Sequence, residues 1–265
     1  MIKKLLSGLY VLLVLAFIYV PILVLVVYSF TDSNIIGNWN GFSLELYARL
    51  FTEDRVRDML VNTILLAVIA GVLSTILGTL GAVGLYYSKG KFGKTVKGAS
   101  SISVINAEIV TAISLALIFS LVAFGKTYFS LIVGHMVICT PFVVLSITPK
   151  LKQMDGNLYE AALDLGASPT KALFKVVLPE ILPGIFSGFM LAITLSLDDY
   201  IVTAFTKPET FDTISTYVYS AVKNQAKSEL PALRALSACI FFIMIIVVII
   251  MNFNANRKTK EGANR

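Results

Sequence analysis

Six apolar runs alternate with short polar segments along the chain. They cover Leu5–Phe30, Met59–Tyr87, Ser101–Phe124, Phe129–Thr148, Ile181–Phe205 and Leu236–Phe253, and no lysine or arginine falls inside any of them. Each run is long enough to cross about 30 Å of hydrocarbon as a helix rising about 1.5 Å per residue. The runs are continuous, where a barrel strand would show about ten residues of alternating polarity. The pattern therefore predicts an all-α integral membrane protein with six transmembrane helices. Two polar segments also carry a helical period. Gly41–Arg57 mixes Leu44, Leu46, Tyr47, Leu50 and Phe51 with charges, and Thr213–Val222 spaces Ile214, Tyr217, Val218 and Ala221 along one face.

The polar segment after the fourth run has a more particular layout. Asn157 followed three residues later by Glu160 has capping-box spacing. Ala161, Ala162, Leu163 and Leu165 continue that helix to Gly166, a residue suited to a left-handed C-terminal cap. Ser168 and Pro169 then open a second helix as N-cap and first helical residue, which Leu178-Pro179 is expected to close. A helix-Gly-helix hairpin hung from a membrane protein needs a surface to dock on. Residues 155–179 are thus a candidate contact for a cytoplasmic partner. The plainer reading is an amphipathic loop in which Glu160 only caps its helix.

Composition and charge sharpen this picture. Hydrophobic residues make up 57% of the chain and charged residues 14%, and the mean hydropathy is +0.82; a soluble domain carries about a quarter charged. The net charge of +6 comes from loops rather than from one basic face, so nucleic acid is not an expected partner. With the N-terminus inside, 14 lysines and arginines fall on the cytoplasmic side and 8 outside. That bias places both termini and the 155–179 loop in the cytoplasm. The first run exceeds a signal-peptide core and lacks a small-x-small cleavage site, so it reads as an uncleaved span. No internal repeat appears, and residues 1–265 are expected to form one transmembrane domain with a short basic tail at 254–265.

Several motifs yield no chemistry. Ser88–Thr95 nearly matches a phosphate-binding P-loop, but Ser88 replaces the first glycine and the stretch follows an apolar helix instead of a buried strand. If ATP drives this protein, another subunit must bind it. Cys139 and Cys239 lie in separate apolar runs without metal-ligand spacing. A lone His135 makes no metal site and suits a helix–helix hydrogen bond. Pro141 and Pro183 are expected to kink or start helices. No nucleophile–base pair is present, so no catalytic residue and no metal are expected.

The acids inside the runs are different. A carboxylate at membrane depth costs several kcal/mol unless it is paired, protonated or facing water. Three are found, Glu108 in the third run and Asp198 and Asp199 in the fifth. From a helix start near Ser101, Glu108 sits about 10 Å into the membrane; from Ile181, Asp198 sits about 25 Å in, toward the outer side. With no cation in any span, the missing counter-charge is assigned to a substrate bearing several amines. Tyr200, beside the aspartates, offers a face that attracts ammonium groups, although packing is the commoner use of an aromatic. Interfacial acids, or acids paired with a cation of another subunit, would read the same way in the sequence.

The 155–179 loop resembles the EAA signature of ABC-importer permeases. Glu160-Ala161-Ala162, Gly166, Val176 and Leu178-Pro179 keep its spacing, with Val176 in place of isoleucine. The resemblance implies a type I ABC-importer permease fold in which the loop is a coupling helix, with Glu160, Ala161, Ala162 and Gly166 contacting the ATPase. The stretch Trp39–Phe42, the run LSLDDYIVTAF at Leu195–Phe205 and INAEIVTAISL, which has Glu108 where relatives carry aspartate, are similar to the spermidine/putrescine permeases of the PotC type. That similarity implies uptake of polyamines by alternating access. Its substrate pathway would use Glu108, Asp198, Asp199 and Tyr200. The implied partners are a PotB-type permease subunit, a PotA-type ATPase dimer that holds ATP and magnesium, and an extracytoplasmic polyamine-binding protein. The implied location is the bacterial inner membrane. No cofactor is expected in this chain. Two alternatives stay open, an ABC permease for another small solute such as an inorganic anion, and an ion-coupled secondary transporter.

Overall fold

The computed structural model describes residues 2–33, 38–52, 54–88, 98, 106–223, 233–239, 241–242 and 245–246. Every regular element among them is helical. In chain order these are α1 (Ile2–Tyr28), α2 (Glu45–Thr52), α3 (Asp54–Tyr87), α4 (Glu108–Leu121), α5 (Tyr128–Gln153), α6 (Asn157–Asp164), α7 (Pro169–Ala172), a π-helical turn (Leu173–Val177), α8 (Leu178–Asp198), α9 (Ile201–Thr206) and α10 (Ile214–Lys223). Four stretches are long and apolar enough to cross a membrane, Leu6–Tyr28, Asp54–Tyr87, Tyr128–Gln153 and Pro169–Asp198. The third apolar run is represented by the 14 residues of α4. Most of the sixth run, and the P-loop-like Ser88–Thr95 beyond its first residue, lie outside the described residues.

The chain packs as two compact units, Met1–Asp58 with Val218–Arg265, and Met59–Tyr217. In the first, the window of α1 at Leu6–Tyr28 buries none of its residues. Just past α1, the Ser29 hydroxyl lies 2.6 Å from that of Tyr47 on α2, and Phe30 stacks on Phe42 at 5.6 Å. The Arg234 guanidinium donates to the Ser33 carbonyl.

The second unit is built on α5 and α8, which pack extensively against each other among the described residues. Cys139, Val143, Ile147 and Leu151 on α5 recur every four residues and meet Val177, Ile181 and Ala192 in one core. Small residues set the spacing. A Cβ at Gly78 of α3 would stand 2.6 Å from Val143, and one at Gly188 of α8 would stand 3.1 Å from it. Two helices thus close on the same valine only because neither has a side chain there. Helix α5 opens with a full capping box between Thr127 and Ser130. Pro141 and Pro183 sit inside α5 and α8, which run on through them.

The 155–179 loop departs from the sequence reading at two points. Asn157 is the first residue of α6 and not its cap: Gly156 holds the cap position, and the Asp155 carboxylate accepts from the Asn157 amide at 3.0 Å. At the other end no helix closes at Leu178-Pro179. From Pro169 the chain stays helical for 30 residues to Asp198, passing through the π-helical turn. The buried residues explain that turn. From Val177 onward they step by three or four, through Ile181, Gly184, Gly188, Ala192 and Ser196, but from Ala172 to Val177 the step is five. One extra residue is absorbed there, so a single face stays buried along the whole helix.

Candidate functional site

The fifth apolar run, expected to be one helix from Ile181 to Phe205, is broken. Helix α8 ends at Asp198, Asp199 takes an extended conformation with ψ 124°, and α9 starts at Ile201. The break separates two acids that adjoin in the sequence. Asp198 is exposed, and no hydrogen-bond or ion-pair partner for it is found among the described residues. It sits on the last turn of α8, where unsatisfied carbonyls already make the helix end negative. An anion there is disfavoured unless a cation joins it.

Asp199 is buried, with 2% of its side chain accessible. Its two oxygens accept the amides of Val202 at 3.2 Å and Thr203 at 2.8 Å, and the Thr203 hydroxyl at 2.8 Å. The carboxylate therefore caps α9 from inside the protein. His135 of α5, fully buried, completes the surroundings. Its Nδ1 lies 2.8 Å from the Ser196 hydroxyl and its Nε2 3.0 Å from that of Thr203, with the Asp199 carboxylate 3.6 Å from Nε2. The helix–helix hydrogen bonds expected of His135 are present, but their partners were not foreseen. Ser196 and Thr203 read as ordinary span residues. The available signal was Asp199 four residues before Thr203, an N-cap-type acid ahead of a short helix. Tyr200 is half-buried, and its carbonyl accepts from Ala204.

Glu108 is exposed at the first position of α4. The preceding residue, Ala107, is extended with ψ 132°, so no continuous helix leads from Ser101 to Glu108, and the depth counted from Ser101 does not apply. Glu108 lines a cavity of about 120 Å³ together with Asn106, Thr111, Val137, Ile138, Phe142 and Leu195. Asn106 donates to the Thr111 hydroxyl at the rim. Leu195 lies one helical turn before Asp198, so the cavity wall reaches the turn of α8 that carries Asp198. Glu108 and Leu195 of α8 thus share one cavity, whose lining includes neither Asp198 nor Asp199.

The loop residues form a separate group. Glu160 and Ala161 are exposed on α6, Ala162 is half-buried, and Gly166 is exposed at φ +85°. The amide of Gly166 bonds to the Leu163 carbonyl and that of Ala167 to Ala162, the paired bonds of a Schellman ending that needs a left-handed residue between them. Ser168 accepts from the Lys171 amide, with Pro169 following it, as the sequence predicts. Tyr159 seats α6 against Tyr87 with ring centroids 5.0 Å apart, while Leu165 remains 89% exposed. No metal-binding group of His, Cys, Asp or Glu occurs among the described residues, and both cysteines are free.

Comparisons with known proteins bear on this arrangement. The chain is 33% identical over 260 residues to the spermidine/putrescine transport system permease protein PotC of Escherichia coli (strain K12), covering 98% of this chain and 97% of that one. It is 32% identical to the putrescine transport system permease protein PotI of the same organism, over 83% of this chain and 81% of that one. Among solved structures, it matches a chain of a bacterial ABC transporter involved in the import of the acidic polysaccharide alginate, with TM-score 0.72, 16% identity and 96% of each chain covered. A chain of the MetNI methionine ABC transporter in an inward-facing conformation matches with TM-score 0.60 and 17% identity over 79% of this chain and 99% of that one; these two likenesses concern the fold. Residues 74–260 match the model of the binding-protein-dependent transport system inner membrane component, and the chain belongs to that family.

Proposed function

We propose that the chain is the transmembrane permease subunit of an ATP-driven importer that takes up polyamines of the spermidine/putrescine class. The observation that carries this reading is Asp198, an exposed carboxylate on the negative end of a helix with no counter-charge among the described residues. A flexible chain bearing several ammonium groups supplies that charge, with a second group reaching Glu108. The apolar wall of Val137, Ile138, Phe142 and Leu195 beside Glu108 suits the methylenes between amines. Near-full-length identity to PotC supports the same substrate class. An inorganic anion would meet carboxylates where it needs donors.

The rest of the assembly follows from this reading. Six spans place both termini in the cytoplasm, and the 155–179 loop is the coupling element. Glu160, Ala161, Ala162 and the exposed Leu165 face an ATPase dimer of the PotA type, and Gly166 sets the bend between the two halves of the loop. A PotB-type permease completes the pathway, and an extracytoplasmic binding protein delivers substrate. Closure of the ATPase pair moves the loop, and the helix from Pro169 to Asp198 carries that movement to the aspartate.

The test is uptake of radiolabelled spermidine and putrescine by cells carrying or lacking the gene. Saturable uptake is expected to disappear on deletion, to return with the wild-type gene, and not to return with Asp198→Asn although that variant still assembles. Unchanged uptake in a strain without a redundant system would refute the substrate assignment.

A further inference from the structure

His135, Ser196, Thr203 and Asp199 are joined by short polar contacts. Thr203 has one hydroxyl hydrogen, and both acceptors it faces on its own segment belong to Asp199, the carboxylate at 2.8 Å and the backbone carbonyl at 3.3 Å. The same hydroxyl lies 3.0 Å from His135 Nε2. His135 Nδ1 lies 2.8 Å from the Ser196 hydroxyl. A continuous run of contacts thus joins Ser196 on α8, His135 on α5, Thr203 on α9 and Asp199. Each polar atom along the chain of bonds has a partner. The Ser215 hydroxyl adds a bond to the Asp199 carbonyl at 2.7 Å.

This network spans the break in the fifth run. Residues 195–206 contain neither glycine nor proline, so nothing in the backbone chemistry prevents one helix from running through. In such a helix, the amides after Asp198 would bond to the terminal carbonyls of α8, and its negative end would vanish. What opposes that state is the cost of withdrawing Asp199 from its bonds.

We propose that His135, Ser196, Thr203 and Asp199 are positioning residues that hold the helix open at Asp198, so that its carboxylate and the free carbonyls of α8 together present a negative site to a cationic ligand. The proposal rests on the reading of Asp198 as the substrate contact, and Asp199 is thereby placed behind the site and not in it.

Two readouts on the assembled transporter in proteoliposomes separate the proposal from that reading. The first is the KM and maximal rate of spermidine uptake. The second is the labelling rate of Asp198→Cys by a membrane-impermeant cationic thiol reagent, taken above the background of the unmodified chain. Thr203→Val is expected to raise KM about five- to tenfold, the size of one lost hydrogen bond, with a smaller change in maximal rate. It should also slow labelling of Asp198→Cys by a similar factor, and Thr203→Ser should restore both. A changed labelling rate with unchanged KM would support the positioning role and overturn Asp198 as the substrate contact. An unchanged labelling rate would overturn the proposal, whatever KM does. If Thr203→Val fails to assemble, Ser196→Ala, which removes only the hydroxyl partner of His135 Nδ1, is read in the same way.

Discussion

A charge near the end of a helix gains or loses depending on which end it occupies. Glu108 stands on the first turn of α4 and Asp198 on the last turn of α8. The helix favours the first and disfavours the second, so the two acids should respond differently to neutralisation. Glu108→Gln is expected to lower thermal stability by about 0.3–1 kcal/mol, whereas Asp198→Asn should leave it unchanged or raise it. Both should lower polyamine uptake. Thermal unfolding of the purified complex beside transport assays checks the pair. The sequence places these two acids and Asp199 among apolar residues without showing which aspartate is buried. It could not divide them, because burial of Asp199 depends on His135, more than sixty residues away in the chain, and on a break that no glycine or proline announces.

Elements are legible where the signal is local. The Ser168-Pro169 start, the Gly166 cap and the amphipathic stretches that become α2 and α10 could all be read from neighbouring residues. The joining of the loop's second helix to the fifth span could not, since Leu178-Pro179 looks like a stop and proline is tolerated at the first turn of a helix. At Gly166 the space around a Cβ is open, so the penalty for a side chain there is backbone strain alone. Gly166→Val is expected to cost about 1–2 kcal/mol or more in that conformation. It should uncouple ATP hydrolysis from uptake or block ATPase assembly, while Gly166→Asn does so less. ATPase and uptake rates measured on the same preparation distinguish these outcomes. Between spans the constraint is space. Gly78→Ala should reduce assembly, at a cost of about 1–3 kcal/mol for overpacking, and Val143→Ala in the same chain should recover part of it. A double-mutant cycle on complex yield measures that recovery.

At the scale of the molecule, composition and the length of the apolar runs announce a helical membrane protein, because they act through solvent and need no tertiary detail. The division into two compact units has no counterpart in the sequence, which shows neither a linker nor a change of composition. The exposed α1 is legible only as apolar on all sides. A helix of that kind needs lipid or another apolar surface around it. A tag on this chain is expected to co-purify an ATPase from mild detergent. Recovery of the chain alone, under conditions that preserve other membrane complexes, would count against the importer assembly.

The π-helical turn makes the long helix tolerant of length change at one place only. Deleting one residue between Leu173 and Val176 shortens the five-residue step between Ala172 and Val177 to four. An ordinary α-helix then keeps both halves in phase. The same deletion at Leu191 turns everything downstream by about 100°, carrying Asp198 and the start of the break to another face. Natural or engineered one-residue deletions should therefore survive near Lys175 and fail in the middle of the span. Growth on limiting polyamine across a library of single deletions would map that tolerance, residue by residue, from the loop to the aspartate.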